Sequence, residues 1–370
     1  MDANLSIFTP CPRQVGMKHM ATDLLIVSPG FPESAEDDTC IPPLQEYLWA
    51  LLAQRPNLRV AIIALQYPYT DVPYDWCGVK VFPCNGRNSR ARRLFAQYRA
   101  WKHFDALNNE GAIGCVHGLW LGQAAALAER MSAKCGARNV VTLMGQDARD
   151  NTRWLKHVGM NTALVCLSAR HADVLRTSSD RVPTSIIPWG SPPHMASMGP
   201  QERTTNMLFV GSQIPVKQPD VFEEVFRKVA EQRTVSAMMV GSDGVQVQPS
   251  QPGFLLKAEM AYGSSRLGKC GAMPRGNVHM EMLAAKLLVH TSAYESQGYV
   301  FDEALAAGMS IVSFPVGSAA ASDRWRVVEN SVEMTAAVID LLDHTPGNIP
   351  ITLHPMRDTL NAYLTLYGLD

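Results

Sequence analysis

Glu295-Ser-Gln-Gly-Tyr-Val-Phe-Asp-Glu303-Ala-Leu-Ala-Ala-Gly308 lies between two short apolar runs, Leu287–Thr291 and Ser310–Phe314. Both runs are rich in aliphatic residues and bounded by polar or small ones, so they read as buried strands. Tyr299–Ala307 has the length and pattern of a helix, and Gly308 is its natural C-cap. Strand, loop, helix and strand in that order make the repeating unit of a parallel sheet covered on both faces. Gly298 falls where the helix begins. The unpaired N–H groups and positive dipole end there can hold a diphosphate, and glycine lets a phosphate approach the backbone closely. A carboxylate accepts hydrogen bonds from a pair of sugar hydroxyls. Glu303, one turn into the helix, and Glu295, in the loop before it, are therefore candidate ligands for two sugars. By spacing alone they also fit a solvated helix residue and a polar loop residue.

The same alternation extends in both directions. Met207–Val210 and Val235–Val240 read as strands, and Asp220–Glu231, Val278–Ala285 and Val332–His344 as helices, with a terminal helix near Pro355–Tyr367. Ser191–Thr205 holds three prolines and a glycine without apolar periodicity and reads as a linker. Before it, Leu24–Ser28, Val60–Leu65, Ala112–His117, Val140–Leu143, Leu164–Ser168 and Ser185–Pro188 read as strands, with helices at Leu119–Ala133 and Ala169–Thr177. The expected fold is α/β, with two Rossmann-like doubly wound domains facing a cleft. Residues 1–195 form the first, 196–345 the second, and the helix in 346–370 is placed to pack back on the first. Such sheets bind ligands at the carboxyl ends of their strands, so the cleft is the expected site.

At 370 residues and 46% apolar, the chain has material for two cores. A net charge of −1 argues against a globally basic nucleic-acid binder. The eight cysteines include no C-x-x-C and no zinc-finger spacing, as expected for free thiols in a reducing, cytoplasmic setting. Met1–Ala21 has no apolar core of the signal-peptide kind, and no run of eighteen apolar residues occurs. The absence of G-x-G-x-x-G after the first strand, and of a P-loop anywhere, argues against an ordinary NAD dehydrogenase or P-loop NTPase.

Two glutamates seven residues apart, with Glu-Ala-Leu-Ala-x-Gly following, resemble the E-x7-E signature of retaining GT-B glycosyltransferases, above all family 4 (group 1). The resemblance implies that Glu295 contacts the donor sugar, that Gln297 and Gly298 lie beside it, and that Glu303 holds the ribose. Gly211-Ser-Gln-Ile-Pro-Val-Lys217 is similar to the family's Gly-Arg-x(4)-Lys element, whose cations neutralise the leaving diphosphate. Lys217 matches the lysine, but Ser212 stands where the arginine is expected and brings no charge. Arg266 and Arg275 are candidate replacements.

In the first domain, Ser28-Pro-Gly-Phe-Pro-Glu33 resembles the family's first loop, with Gly30 as the close-approach position. His117-Gly-Leu-Trp120 resembles the stretch bearing the active-site histidine that touches the donor sugar; a structural histidine is the alternative. Gly145-Gln-Asp147-Ala-Arg149 resembles a Gly-x-Asp loop in which Asp147 orients acceptor hydroxyls or simply caps a helix. Ile187-Pro-Trp-Gly190 resembles a strand end at the domain junction. Glu36-Asp-Asp-Thr39 reads as an acidic cap, with Thr39 as N-cap, for a helix at Pro42–Leu52. Pro315-Val-Gly317-Ser departs from the family's Gly-Gly-x-x-Glu loop.

The implied activity is transfer of a sugar, with retention, from a nucleotide diphosphate sugar to an acceptor hydroxyl in polysaccharide or glycolipid assembly. No metal is expected, since there is no D-x-D. A sugar-nucleotide-binding protein without catalysis, or an epimerase on the same fold, would fit the missing arginine or the fold. Finally, Arg87–Lys102 holds six cations, three aromatics and no acid. It reads as an ordinary amphipathic helix or as a membrane-surface helix that meets a lipid-linked acceptor; no nucleic-acid motif accompanies it.

Overall fold

The computed structural model of the chain describes residues 22–192, 194–195, 201–242, 256–344 and 346–370. The N-terminal stretch with Cys11, and Pro193 and residues 196–200 of the expected linker, lie outside these. The chain forms two compact units. One runs to Trp189 and takes in Arg357–Asp370; the other is Gly190–Met356.

The first unit is built on eight strands: β1 (Thr22–Gly30), β2 (Val60–Tyr67), β3 (Tyr74–Trp76), β4 (Val79–Pro83), β5 (Ile113–Leu119), β6 (Arg138–Thr142), β7 (Ala163–Cys166) and β8 (Ser185–Ile186). Their order is β3-β4-β2-β1-β5-β6-β7-β8. All pairs are parallel except β3 with β4. Leu24, Leu25, Ile26 and Val27 of β1 are all fully buried, as a strand covered on both faces requires. The helices are α1 (Pro42–Gln54), α2 (Arg93–Glu110), α3 (Gln123–Cys135), α4 (Asp147–Asp150) and α5 (Ala169–Ser178). Leu25, Val27 and Ile63 pack one face against Ala96, Ala100 and Phe104 of α2 and Leu127 and Met131 of α3.

The second unit has β9 (Thr205–Val210), β10 (Ser236–Val240), β11 (Leu256–Tyr262), β12 (Ser265–Cys270), β13 (Ala285–His290), β14 (Ser310–Ser313) and β15 (Trp325–Val327). Their order is β11-β12-β10-β9-β13-β14-β15, parallel except for the β11–β12 hairpin. Its helices are α6 (Pro219–Ala230), α7 (Arg275–Ala284), α8 (Tyr299–Ala306) and α9 (Ser331–Asp343). Met207, Phe209, Leu287 and Val289 point to the face covered by α6 and α9, and Leu208 and Leu288 to the face shared with Phe301 of α8 and Trp325. That alternation is the period of two of a pleated strand. The sheet runs outward from the β9–β13 pair in two directions, which makes their carboxyl ends the topological switch point.

α10 (Met356–Tyr367) carries Tyr363 and Tyr367 into the core of the first unit. Tyr363 packs on Trp189, and the Tyr367 hydroxyl lies 3.2 Å from that of Tyr47. Among the described residues no helix is long and apolar enough to cross a membrane.

Several elements differ from the sequence reading. The helix expected from Leu119 starts at Gln123, because β5 runs on to Leu119 and Trp120 turns left-handed at φ 64° with its N–H on the Thr142 carbonyl. Thr39 does not cap α1; Ile41 occupies that position at φ 51°. The acidic run ties a loop instead: Asp37 accepts from Thr39 and from the Tyr67 hydroxyl. The hairpins β3–β4 and β11–β12 and the three-residue β15 were not anticipated, being short and lacking a clean apolar run.

Candidate functional site

Lys217 reaches the switch point from the loop after β9. Thr291 Oγ1 lies 2.9 and 2.8 Å from the carbonyl oxygens of Lys217 and Gln218, and the Ala293 N–H donates to the Val216 carbonyl at 2.9 Å. These bonds fix the lysine turn to the chain leaving β13. Lys217 Nζ then donates to Glu295 Oε1 at 2.5 Å, and His290 Nε2, at the end of β13, lies 2.9 Å from the same oxygen. Burial raises the Glu295 pKa, but the His290 hydrogen bond and the Lys217 charge outweigh it and bring the carboxyl down to about 2. Glu295 is a fixed carboxylate with a cation beside it. His290 Nδ1, at the end of β13, and Ser292 Oγ, in the loop after it, are buried without a hydrogen-bond partner among the described residues.

Glu303 is held in the same manner on α8. Its Oε1 accepts from the Arg275 guanidinium and lies 2.9 Å from His279 Nε2, both on α7. His279 Nδ1 is in turn 3.2 Å from His194 Nε2. Burial opposes ionisation of Glu303, and Arg275 and His279 more than offset it, so its pKa lies below the usual carboxylate value. Burial pushes the His194 pKa down to about 4. Of the two candidate replacement cations, Arg275 is thus committed to Glu303, whereas Arg266 pairs with Glu259 on the β11–β12 hairpin. Ser212 is exposed in the loop after β9.

Gly298 caps α8 at φ 77°, and a Cβ there would stand 2.4 Å from the Phe301 ring. Neighbouring Gln297 is buried. Its Nε2 donates to Asp302 Oδ2 at 2.9 Å, and its carbonyl accepts the N–H and hydroxyl of Ser318 at 2.8 and 2.9 Å. Gly317, at φ 55°, would put a Cβ 2.3 Å from that carbonyl. The stretch that departs from the family pattern therefore braces the glutamate loop. Asp302, fully buried, also accepts from Ser191 Oγ at 2.9 Å and lies 2.8 Å from His354 Nδ1. Ser191 and His354 flank the two places where the chain passes between units, at Trp189–Gly190 and Met356–Arg357. Asp302, His290 and His279 were not singled out from the sequence. A histidine at the end of a strand, and a basic residue and a histidine four apart on a helix, are the signals that point to His290 and His279.

The first-unit candidates have other occupations. His117 is buried, with Nδ1 2.8 Å from the Tyr367 hydroxyl and Nε2 2.8 Å from Thr142 Oγ1. Both ring nitrogens are committed, and burial brings the pKa down to about 3. His117 is a neutral core residue in this structure, the arrangement of the structural alternative. The reason is α10, whose tyrosines close over it. Asp147 spends its carboxylate on the N–H groups of Leu121 (2.7 Å), Met144 (3.1 Å) and Gly145 (2.6 Å) and so shapes its own loop. At Gly30 a Cβ would meet Tyr67 Cβ at 3.6 Å and Cys40 Sγ at 3.7 Å, an ordinary fit that does not require glycine.

Residues 204–344 match the family described as glycosyl transferases group 1. That match lies wholly within the second unit. The site just described falls within the matched residues, apart from Ser191, His194 and His354. Solved glycosyltransferases share the fold of the whole chain. HepE of Anabaena, solved with UDP and glucose, is 14% identical, with 94% of this chain and 97% of that one covered at a TM-score of 0.60. Sucrose-phosphate synthase of Thermosynechococcus elongatus is 13% identical, with 93% and 96% covered at 0.64. The catalytic domain of Starch Synthase IV from Arabidopsis thaliana, solved with ADP and acarbose, is 11% identical, with 94% and 99% covered at 0.67. The fold is therefore GT-B, with two Rossmann-like domains. No curated protein matches the chain by sequence.

Proposed function

We propose that this chain is a group 1 glycosyltransferase that moves a sugar, with retention, from a nucleotide diphosphate sugar to an acceptor hydroxyl in polysaccharide or glycolipid assembly in the cytoplasm. The observation that carries this reading is the pairing of Lys217 with Glu295 at the β9–β13 switch point, with Glu303 on the helix that follows. The solved relatives with UDP and glucose, and with ADP and acarbose, support a nucleoside diphosphate donor.

In this reading Glu303 accepts the ribose hydroxyls and Glu295 a hydroxyl of the donor sugar. Lys217 and the N-terminus of α8 at Gly298 receive the charge that develops on the diphosphate as the anomeric C–O bond breaks. The acceptor hydroxyl enters on the face the diphosphate leaves. With the leaving charge assigned to Lys217 and the helix, activity is expected to survive chelation. Ser212 in place of an arginine favours a second reading, a protein that binds sugar nucleotides without turning them over.

Calorimetry with UDP, GDP, ADP and their sugars separates these outcomes. One nucleotide should bind, and Glu303→Gln should weaken it by about 1–3 kcal/mol, a charged hydrogen bond's worth. An equal affinity in the variant defeats the site. Nucleotide binding with neither transfer nor hydrolysis favours the second reading, and an inverted anomer in the product removes retention.

A further inference from the structure

We propose that the entry to α2 is a docking surface for an anionic lipid bilayer, an inference independent of the donor-site assignment. At 3.6 residues per turn, Ala96, Ala100 and Phe104 form the buried face of α2. Leu94, Phe95 and Tyr98 stand on the opposite side, 72%, 69% and 69% exposed. Arg90, Arg92 and Arg93 are exposed at the same end.

The adjoining loop continues the surface. Arg99 pairs with Asp71 at 2.6 Å, and Arg87 lies over the Tyr69 ring at 5.2 Å while donating to its carbonyl at 3.3 Å. These contacts hold Tyr69 and Val72, themselves exposed, beside the helix start. Of fourteen exposed large apolar side chains among the described residues, five are in this one patch, so it is not a scatter of single residues.

Charge names the occupant. No acid occurs between Asp75 and Asp105; Asp71 is paired with Arg99 and Asp105 with Lys134, while Asp75 accepts the Gly78 N–H. Arginines seek lipid phosphates while Leu94, Phe95 and Val72 enter the acyl boundary, the division of labour of a helix lying in the interface. Nucleic acid would use the arginines and leave Leu94 and Val72 in water. A symmetric second copy would set Arg90, Arg92 and Arg93 against their own counterparts. The turn before the helix is shaped by its backbone: Asn85, Arg87 and Asn88 are left-handed, and Gln66 Oε1 accepts the Asn88 N–H at 2.9 Å.

The test is co-sedimentation of the full chain with phosphatidylglycerol-containing vesicles, and with phosphatidylcholine vesicles alone, at low and high salt. The chain should pellet with the anionic vesicles, weakly with the neutral ones. Arg92→Gln with Arg93→Gln should reduce binding about tenfold or more, as expected for two interfacial cations. Leu94→Ser with Phe95→Ser should abolish the part that survives high salt. All four positions are exposed, and an unchanged melting temperature verifies folding. The proposal falls if the chain stays in the supernatant, or if neither pair alters sedimentation. It falls equally if a single-stranded RNA probe binds as tightly and through the same arginines, or if the patch instead holds a dimer that Leu94→Ser with Phe95→Ser dissociates.

Discussion

Lys217→Met takes away the cation that faces a buried carboxylate, so two losses are expected at once. Nucleoside diphosphate affinity should fall by about 1.5–3 kcal/mol by calorimetry, the range for hydrogen bonds to charged groups. Glu295 is left with His290, and its pKa should climb from about 2. The acid side of the stability curve reports that change. The unfolded chain takes up a proton on Glu295 near pH 4.5, whereas the folded chain resists down to about 2. The stability carried by the pair is therefore whole above about pH 4.5 and is lost as pH falls through that window. In acid titrations followed by circular dichroism, Glu295→Gln should flatten this part of the curve; an unchanged curve would show that the pair contributes nothing to it. Glu295, Gln297, Gly298 and Glu303 stand out in the sequence because their signal is local, a loop and a helix start within nine residues. The surroundings of His117 were not legible, because its partners, Thr142 and Tyr367, lie 25 and 250 residues away along the chain.

At the scale of single elements, α8 depends on a glycine that β1 does not. Gly298→Ala must hold a non-glycine residue at φ 77° and a Cβ against the Phe301 ring. Backbone strain alone costs about 1–3 kcal/mol, so the melting temperature should drop by several degrees. Gly30→Ala, with ordinary contacts around the added methyl, should melt like the parent. If the two variants melted alike, the geometry assigned to the α8 cap would be wrong. Strand positions in the parallel sheets were readable because burial on both faces leaves continuous apolar runs such as Leu24–Val27. Helix starts were less so. α1 and α3 begin at left-handed or extended residues rather than at side-chain caps, and propensity does not reveal those.

For the molecule as a whole, repetition of strand and helix on either side of a Pro-rich stretch gave the two-domain α/β reading. What periodicity could not supply was the tie made by Asp302, whose partners Ser191 and His354 are 111 and 52 residues distant. Asp302→Asn should cost the second unit about 1–3 kcal/mol, the penalty for a disrupted buried hydrogen-bond set. Differential scanning calorimetry would show this as an earlier transition, and no shift would mean that these bonds are dispensable.

The arrival of α10 in the first unit also sets an order of events during synthesis. Tyr363 and Tyr367 reach His117, Thr142 and Tyr47 only after every residue of Gly190–Met356 has been made. A chain that stops anywhere within the second unit lacks both tyrosines that close over His117. The first unit is thus completed only by a helix that follows the whole of the second along the chain.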